Sequence, residues 1–182
     1  MSGTRARLTQ MRRFLPATIL AVACATAPEP KPGPVETVPE PTLAIETLAE
    51  VQYAPGNIAV APDGTVYFTL HQFFAPPFSV AKLEEGKLVR AVPDLELVSP
   101  LGIAVDEAGT LWLLDNGLAK KGSAPRLIAR AHNNETRVYE LSAATPDNAF
   151  VNDLVIDLQN RSAYVADPAG GANAALIVVD LR

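Results

Sequence analysis

Three sets of positions carry the polar side chains that could do chemistry in this chain: Asn57 with His71, Gly102 with Asp115, and Asn152 and Asp153 with Asp167. In each set the first member opens a short apolar strand, and the last closes the strand that follows a tight turn. Those two ends lie side by side in an antiparallel hairpin, so each set shares one end of its unit. Converging on one rim, they would supply amides, carboxylates and one imidazole, a composition suited to holding a small polar molecule. A standard catalytic set is missing. Two histidines, His71 and His132, are too few for a histidine-rich zinc site. No G-x-S-x-G elbow occurs, and Gly170-Gly171 lacks the further glycines of a phosphate-cradling loop.

Each of these residues also has a plainer role open to it. Asp63-Gly64 is turn chemistry, and Asp106 and Asp157 follow first strands, where aspartate stabilises turns. Asp115 with Asn116-Gly117, and Asp167 with Pro168, either face the rim or shape their own loops. Asn152-Asp153 is the strongest candidate for a ligand contact, because two polar residues interrupt Phe150, Val151, Leu154 and Val155 where burial is expected. His71 is either a rim ligand or an ordinary loop histidine.

The elements that must position these residues repeat. "GNIAVAPDGTVYFTL" from Gly56, "LGIAVDEAGTLWLLD" from Leu101 and "NDLVIDLQNRSAYVAD" from Asn152 each read as a hairpin. An apolar strand (Ile58 to Val60, Ile103 to Val105, Leu154 to Ile156) meets a turn at Asp63-Gly64, Ala108-Gly109 or Gln159-Asn160. A second strand then carries an aromatic at Tyr67, Trp112 or Tyr164. With Ile58, Ile103 and Leu154 as equivalents, the period is 45 and then 51 residues, the spacing of four-stranded propeller blades. Outer hairpins follow: Phe78 to Leu83 with Leu88 to Ala91, and Arg126 to Ala131 with Arg137 to Leu141. The third unit offers Ala175 to Leu181 and no fourth strand. Leu43 to Val51 is expected to form one strand, or a stub laid against an edge. The fold class is therefore all-β, about three propeller blades over residues 43–182. Three blades leave two flanks open, which implies a fragment, a split gene product or a chain that closes by association.

Residues 1–42 carry different signals. Arg12 and Arg13 precede Phe14 to Ala23, an apolar run too short to span a bilayer and suited to the core of a signal peptide over residues 1–23. Leu20-Ala21-Val22-Ala23-Cys24 resembles the lipobox of bacterial lipoproteins, with Ala21 where a large aliphatic residue is usual. Ala21-Val22-Ala23 also reads as an ordinary cleavage site. Cys24 is the only cysteine, so an internal disulfide is excluded; its expected role is lipidation, anchoring an exported protein in the cell envelope, the alternative being an extracellular product. Residues 24–42 hold Pro28, Pro30, Pro32, Pro34, Pro39 and Pro41. Near polyproline II, at roughly 3.1 Å per residue, such a linker reaches about 55 Å. Without the first 23 residues the chain has 11 basic and 20 acidic side chains, a balance unsuited to nucleic acid.

"GIAVDEAGTLWLLDNG" with "APRLIAR", and "FVNDLVIDLQNRSAYVADPAGGANAALIVVDLR", resemble the Yellow / major royal jelly protein family, in particular its bacterial, L-dopachrome tautomerase-related members. "NIAVAPDGTVYFTLHQFFAPPFSVAKL" is similar to that family's opening blade, so the resemblance covers Val51 to Arg182. It implies a six-bladed propeller, secretion, and a ligand site at the central channel for small aromatic amines or catechol-like molecules. Later blades, which in the family help build that site, are not in this sequence. Three function classes follow. The leading one is a ligand-binding propeller, with Asn152, Asp153, Asp115 and Asp167 as polar contacts and Asn57 and His71 beside them. The second is a hydrolase of the gluconolactonase type, which holds a divalent cation with carboxylate and amide oxygens on the same face. The third is a non-catalytic remnant or interaction module, binding a second copy or blades from another chain through its open edges.

Overall fold

The computed structural model describes residues 44–169 and 173–182. The expected signal peptide, Cys24, the linker and Gly170-Gly171 lie outside the described residues. The body is built of three antiparallel sheets in simple up-and-down order. Blade 1 is β1 (Pro55–Val60), β2 (Val66–Leu70), β3 (Val80–Glu84) and β4 (Lys87–Arg90). Blade 2 is β5 (Pro100–Val105), β6 (Leu111–Asp115), β7 (Arg126–Arg130) and β8 (Thr136–Glu140). Blade 3 is β9 (Asp153–Asp157), β10 (Ser162–Asp167) and β11 (Ala175–Asp180). These are the expected all-β propeller blades.

Turn chemistry sets the registers. Gly64 (φ +87°) and Gly109 (φ +77°) take the left-handed positions that L side chains avoid. In blade 2 the Asp106 carboxylate closes the turn by accepting from the N–H groups of Ala108 and Thr110. In blade 3 the turn forms at the expected Gln159-Asn160, closed by the Arg161 N–H donating to the Leu158 carbonyl at 3.3 Å, with Arg161 (φ +52°) in the left-handed position. Both β1 and β5 begin earlier than their apolar runs, at Pro55 and Pro100. Each contains a register shift, between Pro55 and Ile58 and between Pro100 and Gly102, where a glycine lets another chain segment come close.

Burial follows blade position. In β6 every residue from Leu111 to Asp115 is buried, since the middle blade packs on both faces. One layer joins blades 1 and 2 through Val80, Ile103, Leu113 and Ile128. Another joins blades 2 and 3 through Trp112, Leu127, Leu154, Val165 and Ile177. In β10, which packs on one side only, Ala163, Val165 and Asp167 are buried and the residues between them are not.

The expected strand over Leu43 to Val51 does not form across the described residues 44–51. Ile45 and Leu48 are exposed, and only Val51, followed by Tyr53, packs on blade 1 beside Phe68, Leu70 and Ala81. Apolar residues without a ladder partner do not make a strand.

Candidate functional site

The innermost strands meet at their leading ends. Thr69, fully buried, accepts from the Asn57 N–H at 3.0 Å and donates its hydroxyl to the Leu101 carbonyl at 2.8 Å. The Asn57 amide Nδ2 then donates to the Asn152 carbonyl at 3.0 Å, joining blade 1 directly to blade 3. This crossing requires a glycine between them. A Cβ on Gly102 would lie 2.8 Å from Leu154 Cδ2, 3.0 Å from Leu114 Cβ and 3.2 Å from the Asn152 carbonyl. The predicted convergence of Asn57, Gly102 and Asn152 is thus built from backbone and amide hydrogen bonds.

The aspartates divide differently. Asp115 is completely buried. Its Oδ1 accepts from the N–H groups of Ser99 (2.7 Å) and Gly117 (3.3 Å), and its Oδ2 from the Val98 N–H (2.9 Å) and the Arg126 guanidinium (3.1 Å). It shapes its own loops and presents nothing to the mouth. Asp167, equally buried, accepts at Oδ1 from Phe150 N–H (2.8 Å) and Ala169 N–H (3.0 Å), while its Oδ2 has no partner among the described residues. Of the expected rim carboxylates only Asp153 is exposed; its Oδ1 accepts from the adjacent Leu154 N–H at 2.8 Å. Asn152 beside it is half-buried.

His71 shares the leading end with Asn57, donating its backbone N–H to the Ala54 carbonyl at 3.0 Å. It caps a short 3-10 turn, Gln72–Phe74, that ends at Ala75 with φ +46°. The turn places the imidazole 4.5 Å from the Phe73 ring and 6.0 Å, edge-on, from Phe74. Both phenylalanines are exposed. Both amide atoms of the Gln72 side chain are out of contact with solvent and unpartnered among the described residues. Sequence reasoning singled out His71 alone of this group, although "HQFF" directly after a strand is a visible signal.

The turn aspartates behave as expected of turns. The Thr65 N–H holds the Asp63 carboxyl below the usual carboxylate range, and the Asn160 side-chain amide does the same for Asp157. Asp106 does more than the sequence suggested, since its Oδ2 also accepts from the Trp112 indole N–H at 2.9 Å. Among the described residues no three His, Cys, Asp or Glu side chains are grouped to hold a metal ion.

Residues 98–182 match the family model described as "Major royal jelly protein". Blades 2 and 3 lie within the matched residues. The matched stretch takes in Asp115, Asn152, Asp153 and Asp167, and begins at Val98, whose N–H closes on Asp115. Asn57 and His71 precede the major royal jelly stretch, so their placement rests on the geometry of blade 1. No curated protein sequence matches the chain. Among solved structures, one titled "Streptogramin B lyase structure" is similar with a TM-score of 0.44 and 20% identity, over 70% of this chain. This chain spans 40% of that neighbour's length.

Proposed function

We propose that this chain is an exported, ligand-binding propeller of the Yellow / major royal jelly type that takes a small aromatic or amine molecule at the leading end of its blades. The reading is carried by the group His71, Phe73 and Phe74 with the unpartnered Gln72 amide. Exposed aromatic rings offer a stacking and cation–π surface, and a buried amide without partners is a donor and acceptor in want of one. Asp153, the exposed carboxylate at the start of β9, supplies the counter-charge for an amine. The Asn57 side-chain amide, donating to the Asn152 carbonyl at 3.0 Å, ties blade 1 to blade 3.

Dopachrome-like conversion would be a finer form of the same reading. The gluconolactonase-like alternative needs several carboxylates facing the mouth. Asp115 and Asp167 are turned into their loops, so no specific observation favours it.

Calorimetric titration with a catecholamine tests the ligand reading. With three blades present, a dissociation constant near about 1 mM is expected, and Asp153→Asn should weaken it about tenfold. Identical heats for the wild type and Asp153→Asn would remove the proposed role of the carboxylate. Loss of binding in Phe73→Ala with Asp153 intact would assign recognition to the rings.

Export and anchoring are part of the proposal and rest on the charged, apolar and proline-rich order of residues 1–42. The processed wild type should sediment with membranes, and Cys24→Ser should release it. A wild type that is soluble after export would end the lipid-anchor reading.

A further inference from the structure

Each seam between blades holds a cavity at the end opposite the rim that carries Asn57, His71 and Asp153. Between blades 1 and 2 it measures about 310 Å³, with Tyr67 and Leu111 in its wall. Between blades 2 and 3 it measures about 330 Å³, with Trp112 in the place of Tyr67. The first lies between two four-stranded sheets, so such a space belongs to the seam itself. Strand pairing sets Ala104, Trp112, Ala129 and Arg137 in one row across blade 2. The alanines that flank Trp112 leave room that larger side chains would fill. Tyr139, on the same side of β8 as Arg137, stacks on the indole. Blade 3 closes the far wall with Leu158, Arg161 and Leu181. The volume falls at the small end of the range of small-molecule sites, so the occupant is small.

The two cavities differ in their cations. Lys82 and Arg130, which line the one between blades 1 and 2, are each ion-paired, with Glu84 and Asp94. Arg137 and Arg161, which line the one between blades 2 and 3, form no ion pair among the described residues. The carboxylate near Arg161, Asp180, is bound by Arg182. Two acids also line this cavity. Asp106 is taken up by three donors, the N–H groups of Ala108 and Thr110 and the Trp112 indole N–H. Glu135 is exposed.

We propose that the cavity between blades 2 and 3 binds a small aromatic carboxylate, with its ring against Trp112 and Tyr139 and its carboxylate on the guanidiniums of Arg137 and Arg161. Aromatic rings gain from edge-on or offset contact beyond the area they bury, and a planar guanidinium matches a carboxylate with two parallel N–H···O bonds. A neutral aromatic would use the wall alone and a ringless carboxylate the arginines alone, so each forfeits half of the site. The two free cations disfavour an aromatic amine, which separates this ligand class from the one proposed for the mouth.

Trp112 is the only tryptophan, so its emission reports this cavity and not the opposite rim. Titrating the full chain with benzoate should give a saturable change in that emission, with a dissociation constant near about 1 mM. Arg137→Gln should weaken binding about tenfold, Arg137→Lys less, and Arg137→Gln with Arg161→Gln should abolish it. Circular dichroism checks that each variant is folded; both positions are exposed. Benzyl alcohol and acetate should each bind at least about tenfold more weakly than benzoate. Emission that falls in proportion to benzoate without saturating, as in collisional quenching, would overturn the proposal. So would benzoate binding that survives loss of both arginines, or benzyl alcohol binding as tightly as benzoate, since either would make the cavity an apolar crevice. Acetate binding as tightly as benzoate would remove the role of the rings and overturn it too.

Discussion

Trp112→Ala is expected to lower folding stability by about 3–5 kcal/mol. Trp112 is 5% exposed and lies in the layer between blades 2 and 3, with Leu114, Leu127, Leu154 and Val165 around it. Its ring stacks on Tyr139 with centroids 6.3 Å apart and planes 27° from parallel, and its N–H is held by Asp106. Alanine would leave a cavity between two sheets that are fixed by their own ladders and therefore close over it only partly. Chemical denaturation followed by circular dichroism gives the difference. A loss below about 1 kcal/mol would mean that this layer is far looser than its burial implies. Trp112→Phe keeps most of the packing and removes only the indole hydrogen bond, so a loss of about 1 kcal/mol is expected there. Trp112 is the only tryptophan, so blue-shifted emission that moves red on unfolding reports this layer alone.

Asp115→Ala should have a comparable effect, about 3–5 kcal/mol, because removing one member of a buried, hydrogen-bonded charge pair leaves the others without a partner. Three backbone N–H groups, from Val98, Ser99 and Gly117, and the Arg126 guanidinium converge on this one carboxylate. The corresponding change in blade 3 sharpens the test. Asp167 accepts through Oδ1 alone, and Asp167→Asn keeps that oxygen, so its effect should stay within about 1 kcal/mol. If Asp115→Ala proved as mild as Asp167→Asn, the closure of the blade 2 loops would depend on something other than the carboxylate.

The blades were legible because their residues obey two rules at once. Each hairpin alternates an apolar run with a turn that needs a left-handed residue, and each second strand carries its aromatic at the same place. Strand starts were less legible. Gly56 and Gly102 read as boundaries, yet both lie inside strands, since a Cβ on Gly56 would sit 2.6 Å from the Thr69 hydroxyl. Only the close approach of another segment explains a glycine there. For the site, the sequence placed Asn57, His71, Asn152 and Asp153 at one end but could not say which way a strand-terminal aspartate turns. Asp115 and Asp153 are both acids at strand ends. One is enclosed by loop N–H groups from residues more than a dozen positions earlier, and the other is exposed and accepts only from the N–H of the adjacent Leu154. That difference comes from tertiary contacts such as the one between Ser99 and Asp115, which no local pattern encodes.

The hydrogen bond from Asn57 to Asn152 joins residues 95 positions apart, and it bears on how the chain is made. In a solenoid each unit touches only its neighbours, so folding can begin anywhere and spread. Here the first unit is tied to the third across the second. During synthesis from the N-terminus, blade 1 can form its ladders early, but its inner edge stays unfinished until β9 has left the ribosome. Late-arriving partners of this kind slow the final step of folding and lengthen the time for which an edge is open to the wrong strand.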